Sequence, residues 1–310
     1  MKPSSAATQL GVPAVHQRLA GPIRGCPRRF RPWPSRMLLA CVLLSSPPSF
    51  AAAPATPAEP TSDAERAAKK QAEDAAVDAR YQTLVTTLPA EEQAWERVLG
   101  EQLGSFYLPL HKRDKLARKS NAWDFVKDDP SLPRVLLIGD SVSRGYTQPV
   151  RTALAGRANV HRAPANCGPT AAGVERLGAW LGDGRWDVIP FNFGIHDRNT
   201  PVADYTARLE TIVDRLARTG ATLVWATTTP IPDKPEARQT AASIVERNAA
   251  AAAIMAARGI AVDDLFAFIT PHLAEVQPAG DVHFTGPGYD LLGGQVASSI
   301  LEALAARKPR

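Results

Sequence analysis

The 310-residue chain carries 36 lysines and arginines against 31 acids, and 45% of it is apolar, enough for one large domain or two modest ones. The basic surplus is local. Residues 1–53 hold seven basic residues and no acid, leaving 29 basic against 31 acidic residues elsewhere, a balance that excludes an extended basic face for nucleic acid.

In chain order, "RGCPRRFRPWPSR" supplies positive charge, "MLLACVLLSS" a short apolar run and "PPSFAAAPA" a small-residue cleavage region near Ala53. Residues 1–53 therefore read as an export signal, and the mature chain is expected in the periplasm or outside the cell. The apolar run is too short to remain as a membrane span after cleavage, and Cys41 lies inside it rather than after it, which disfavours a lipid anchor. Cys26 and Cys41 would leave with the leader. Cys167 then has no partner for an intramolecular disulfide and is expected to be a half-buried packing thiol.

The Ala/Pro-rich residues 54–62 are expected to form a disordered linker. Residues 63–132 form a helical N-terminal extension. Within it, 63–86 suits a solvated helix, and "PAEEQAWERVLG" opens another with proline at its first position and acids in its first turn. Trp95, Val98 and Leu99 share a face that would pack on the main domain, and 106–133 reads as an irregular connection.

Residues 133–310 form the main domain. Apolar, β-rich runs fall at 134–138, 158–161, 186–193, 221–226 and 259–263, with helix-period segments at 144–156, 171–182, 202–218, 237–258 and 287–306. This alternation predicts an α/β, three-layer, doubly wound (flavodoxin-like) five-stranded parallel sheet, with 2-1-3-4-5 the preferred strand order. Ligands of such sheets bind beyond the carboxyl ends of the strands.

Polar clusters follow four of these strands. Gly139-Asp140-Ser141 follows the first, where Ser141 is either a helix cap or a presented nucleophile. "PANCGPT" follows the second, with Asn166 and Gly168 as candidate oxyanion donors. "FNFGIHD" follows the third, with Gly194, His196 and Asp197; "AGDVHFTGPGYDLL", with Asp281 and His283, follows the fifth and precedes the last helix. Together these offer a nucleophile (Ser141), a base (His283), an acid to orient it (Asp281) and oxyanion donors, the set that acyl transfer to serine needs.

On these residues the segment 133–305 resembles the SGNH (GDSL-type) hydrolase family. The resemblance implies metal-free ester hydrolysis, with Ser141 as nucleophile and, through its backbone N–H, one oxyanion donor, and with Gly168 as the second. In the third block His196 stands where the family carries asparagine. His196 is the preferred third donor, with Asn192 or Asn166 as substitutes and Asp197 in support. The last block, usually Asp-x-x-His, is shortened to Asp281-Val282-His283, so Asp281 can orient His283 only if the turn tightens; Asp263 or Asp264 is the fallback.

The remaining features have plainer readings. "ATTTPIP" would line one wall of the cleft, Trp186 and Phe191 belong to the core, and Arg144 is an exposed arginine near the cap. His111, His161 and His272 lack metal-ligand spacing, and "GDSVSRG" lacks the lysine and glycine spacing of a phosphate loop, so neither metal nor cofactor is expected. The sequence thus predicts an exported serine esterase acting on small acyl esters, acetyl foremost, carried by a small molecule or a saccharide. A saccharide O-acyltransferase using the same site, or a non-catalytic binding or scaffold domain with a decayed oxyanion hole, are the alternatives.

Overall fold

A computed structural model describes residues 62–307 apart from residue 238; the expected leader, and the linker up to residue 61, lie outside the described residues. Five parallel strands, β1 (Arg134–Leu137), β2 (Asn159–Arg162), β3 (Val188–Phe191), β4 (Thr222–Ala226) and β5 (Ala261–Asp263), form one sheet in the order β2-β1-β3-β4-β5. The predicted order is the observed one. Between the strands run α4 (Ser141–Ala153), α5 (Thr170–Leu181), α6 (Val202–Ala217) and α7 (Ala241–Arg258), and α10 (Gly286–Ala306) closes the domain.

The twofold alternation of strand side chains sorts the core into two layers. Leu136, Ile138, Ile189, Phe191, Leu223 and Trp225 point to the side covered by α5, α6 and α7. Val135, Leu137, Val160, Val188, Val224 and Ala226 point to the other side, covered by α4 and α10. Trp186 and Phe191 are core residues as expected, while Cys167 is fully rather than half buried, and burial pushes its thiol up to about 12. No helix among the described residues is long and apolar enough to cross a membrane.

Element ends depart from the sequence reading where polar groups intervene. β3 stops at Phe191 because the chain turns off into a 3-10 turn at Ile195–Asp197. Residues 259–260 precede β5 as the exit from α7, whose C-cap Gly259 takes the left-handed conformation. The short helices α8 (Leu265–Ile269) and α9 (Leu273–Val276) lead from β5 to the loop before α10.

In the extension, α1 (Asp63–Val85) and α2 (Ala90–Gln102) match expectation, but the segment read as irregular begins with a helix, α3 (Gly104–Leu116). Gly104, at φ +69°, reverses the chain between α2 and α3. Pro109 lies within α3 and costs it a backbone hydrogen bond. Tertiary packing outweighs that loss, because Tyr107 and Leu108 close over Leu99, Leu103 and Trp123.

A buried polar cluster holds these helices together. Glu96 on α2 accepts a hydrogen bond from the Tyr81 hydroxyl on α1 (2.6 Å), faces His111 Nε2 on α3 (2.7 Å) and pairs with Lys115 Nζ (2.7 Å). Burial alone would raise the Glu96 carboxyl, yet the bonds from His111, Lys115 and Tyr81 hold it down at about 2, against an ordinary value of 4.5. A carboxyl depressed in the folded state adds stability that is complete above its unfolded value. The extension should therefore lose stability as the pH falls from about 4.5 towards about 2. Glu96→Gln should cost about 3 kcal/mol at neutral pH by taking the buried carboxylate from Tyr81, His111 and Lys115, the last of which keeps only Glu92, and should flatten that acid limb. Denaturant unfolding of both proteins between pH 7 and pH 2 checks both effects.

Candidate active site

At the carboxyl end of β1 the chain passes through Gly139 and Asp140 into α4. Asp140 is the cap: its Oδ1 accepts the Val142 N–H at 2.9 Å. That leaves Ser141 free of capping duty at the first position of α4, where N–H groups lack helical partners and the dipole favours negative charge. The Ser141 hydroxyl instead meets His283 Nε2 at 2.8 Å, across 142 residues of sequence.

The shortened acid–histidine spacing works because the turn does tighten. The Asp281 carboxylate folds back over its own chain, so that Oδ1 accepts the His283 backbone N–H at 3.1 Å and stands 2.8 Å from His283 Nδ1. Such i-to-i+2 bonds are characteristic of aspartate in turns. The carboxylate fixes the proton on Nδ1, leaving Nε2 to accept from Ser141. The backbone and side-chain bonds from His283 hold the Asp281 carboxyl below its ordinary value, so it stays anionic beside the ring. The side chains of Asp281 and His283 are 50% and 41% exposed, so water has direct access to this pair. The fallback acids are occupied elsewhere, Asp263 by Gln295 Nε2 and Asp264 as the cap of α8.

The other polar loops lie along the same edge. Gly168 adopts φ +65°, a left-handed conformation that favours glycine, and its N–H makes no hydrogen bond within the described residues. Gly194 is required by contact rather than by torsion, since a Cβ there would lie 2.0 Å from Thr228 Oγ1. His196 sits exposed on the 3-10 turn after β3, with no hydrogen bond to another described residue. Ser141 and His196 follow β1 and β3, the pair that flanks the point where the strand order reverses.

Asn192 offers no free donor, because its amide hydrogens are taken by Ala226 O (2.7 Å) and Thr228 Oγ1 (3.1 Å). Its place as a substitute oxyanion donor is therefore corrected: the side chain bonds back into β4 and the segment beyond it. Asn166 is half-buried, and its Oδ1 has no hydrogen-bonding partner among the described residues. Thr228 and Thr229, from the "ATTTPIP" segment, are buried beside Asn192 and Ile195. Arg144 is half-buried rather than exposed, lying 5.5 Å from the ring centre of Tyr107 and 6.0 Å from that of Trp123.

Asp197 is fully buried and ties two of these loops together. Its carboxylate accepts the Thr170 backbone N–H (2.8 Å) and hydroxyl (2.7 Å), capping α5 from the loop after β3. Thr170 escaped the sequence reading, although it lies just two residues after Gly168. Arg162 escaped it too. Its one signal was its place at the end of the second β-rich run, and its side chain is buried beneath the Gly139–Ser141 turn. Asp197→Ala should cost about 2–3 kcal/mol by stranding both Thr170 donors. Asp197→Asn should be tolerated far better, since the Thr170 hydroxyl can turn from donor to acceptor. Urea unfolding of the two variants separates these outcomes.

Comparison with known proteins places this geometry in a lineage. No curated protein matches the chain. Among solved structures, a lipase/acylhydrolase from Enterococcus faecalis superposes with a TM-score of 0.51 at 23% identity, covering 57% of this chain and all of that one. A GDSL-like lipase from Bacteroides thetaiotaomicron gives 0.46 at 16% identity over 63% of this chain and 98% of its own. An acetyl xylan esterase gives 0.47 at 14% identity over 54% and 99%. At these identities the likeness is one of fold. The profile of the GDSL-like lipase/acylhydrolase family matches residues 137–291, half of the sequence and every polar loop described above, and the chain belongs to that family, the SGNH hydrolases.

Proposed function

We propose that the chain is an exported serine esterase that hydrolyses small acyl esters, acetyl esters of saccharides foremost, through an acyl-enzyme. The observation that carries this reading is the unbroken relay from Ser141 Oγ to His283 Nε2 and from His283 Nδ1 to Asp281 Oδ1, each step 2.8 Å. In this reading His283 takes the hydroxyl proton as Ser141 attacks the ester carbonyl. The tetrahedral oxyanion is met by the N–H groups of Ser141 and Gly168 and by the His196 ring N–H. His283 then returns the proton to the leaving alcohol, and the same base activates the water that releases the acid.

The exposure of His283 and Asp281 gives water direct access as the acyl acceptor. The choice of acetyl and of saccharide rests on the habits of the family and on the export-type leader in residues 1–53.

The full chain should turn over p-nitrophenyl acetate, and Ser141→Ala and His283→Ala should each lower kcat by about 10³-fold or more. Equal rates in all three proteins would sink the esterase reading. With acetyl-labelled ester, label should accumulate as free acetate even when saccharide is added; label on the sugar would mark an acyltransferase.

The His196 assignment has its own test. If its ring N–H serves the oxyanion, His196→Ala should lower kcat by about 10²-fold with little change in KM, and His196→Asn should give activity similar to or below that of the native chain. A large gain in His196→Asn would mean that the native oxyanion site is impaired.

A further inference from the structure

Arg162 ends β2 and is 1% exposed, and it forms no ion pair with a carboxylate among the described residues. Its guanidinium is spent on the nucleophile turn instead. Nη2 donates to Gly139 O (3.0 Å) and Asp140 O (2.8 Å), and Nη1 donates to Ser143 Oγ (2.6 Å). The Trp123 ring, brought by the extension, lies 5.8 Å from the guanidinium carbon. A cation buried without a carboxylate is costly to folding. Stability is a poor reason for this arrangement.

The two carbonyls suggest a better one. Asp140 O belongs to the same peptide unit as the Ser141 N–H. A charged donor on the oxygen draws electron density through the amide, so the N–H at its other end becomes a stronger donor. Gly139 O, the second acceptor, also accepts the Cys167 N–H at 3.1 Å, one residue before Gly168. One guanidinium nitrogen thus orients the peptide that carries the first oxyanion N–H and grips the carbonyl that anchors the loop carrying the second. Lysine, with one nitrogen on a shorter stem, lacks the second donor that Nη1 directs to Ser143 Oγ.

We propose that Arg162 is a positioning residue for the oxyanion hole, which sets the plane of the Asp140–Ser141 peptide and polarises its N–H towards the developing charge. This inference rests on the esterase reading and deepens it. It differs from a structural role because an oxyanion donor acts on the transition state and leaves ground-state binding alone.

The test compares the full chain with Arg162→Met and Arg162→Lys, measuring kcat and KM for p-nitrophenyl acetate, thermal midpoint, and affinity for an alkyl trifluoromethyl ketone, whose adduct with serine carries an oxyanion. Arg162→Met should lose about 10- to 100-fold in kcat, with KM within about 3-fold and ketone affinity falling in step with kcat. Arg162→Lys should fall between Arg162→Met and the native protein on both readouts. If Arg162→Met does not fold, Arg162→Lys decides: native kcat and native ketone affinity would overturn the proposal. So would any folded variant whose loss lies in KM alone. Native protein that neither turns over the ester nor is labelled at Ser141 by a fluorophosphonate defeats the esterase reading, and this inference with it. Native activity with indifferent Arg162 variants defeats only the inference.

Discussion

The hydrogen bond between Ser141 and His283 is the constraint around which the domain is organised. It joins the end of the first strand to the loop before the last helix, 142 residues later. No local conformational preference holds those residues together. Contact comes from α4 and α10, which begin beside the two residues and run against each other on one face of the sheet. Their approach is close: a Cβ on Gly145 would lie 2.0 Å from the Tyr289 ring, and one on Gly293 2.3 Å from Pro149. Small residues at that crossing let the helix starts converge, and a bulkier crossing would spread them. The relay is therefore a property of helix packing as much as of the residues that form it.

The scaffold was readable because its signals are periodic. Strands such as Arg134–Leu137 send alternate residues to opposite layers, and β-rich runs separated by helix-length segments leave few topologies once crossovers are right-handed. The Ser141, Gly168, His196 and His283 loops could be placed on one edge for the same reason, since each follows a strand or precedes the closing helix. What sequence could not resolve was the direction of individual side chains. Asn192 has the chemistry of an oxyanion donor, but its amide bonds inward to Ala226 and Thr228, a matter of local backbone course after β3. Whether Asp281 reaches His283 depended on a single turn closing on itself. The helix at Gly104–Leu116 was hidden by Pro109, whose local penalty is overcome only by contacts with residues outside that helix.

The division of labour at the start of α4 bears on the ambiguity of Gly-Asp-Ser. A serine at that position can cap a helix or attack an ester, and one hydroxyl cannot be committed to both. Here the aspartate caps, through the Val142 N–H. The tripeptide thus carries a backbone task on Asp140 and frees the hydroxyl one residue later. Asp197 shows a similar economy, because the carboxylate that completes α5 is also the residue after His196. Both acids satisfy N–H groups at helix starts, and both fix the loops from which the candidate donors project.

The extension also bears on the site. Tyr107 and Trp123 flank Arg144, three residues beyond Ser141, and Trp123 lies over the guanidinium of Arg162. Gln148 and Arg151 on α4 donate to the Asn121 carbonyl, fastening the same segment to the helix that carries Ser141. A tether would need none of these contacts, since flexible attachment requires only chain. The extension instead covers the back of the Gly139–Ser141 turn, where an arginine lacking a carboxylate partner would otherwise meet water. Excluding water there strengthens the bonds from Arg162 to Gly139 and Asp140, because hydrogen bonds to a charged donor gain as the local dielectric falls. The polar cluster around Glu96 ties the helices of that cover to one another, through Tyr81 on α1 and His111 and Lys115 on α3.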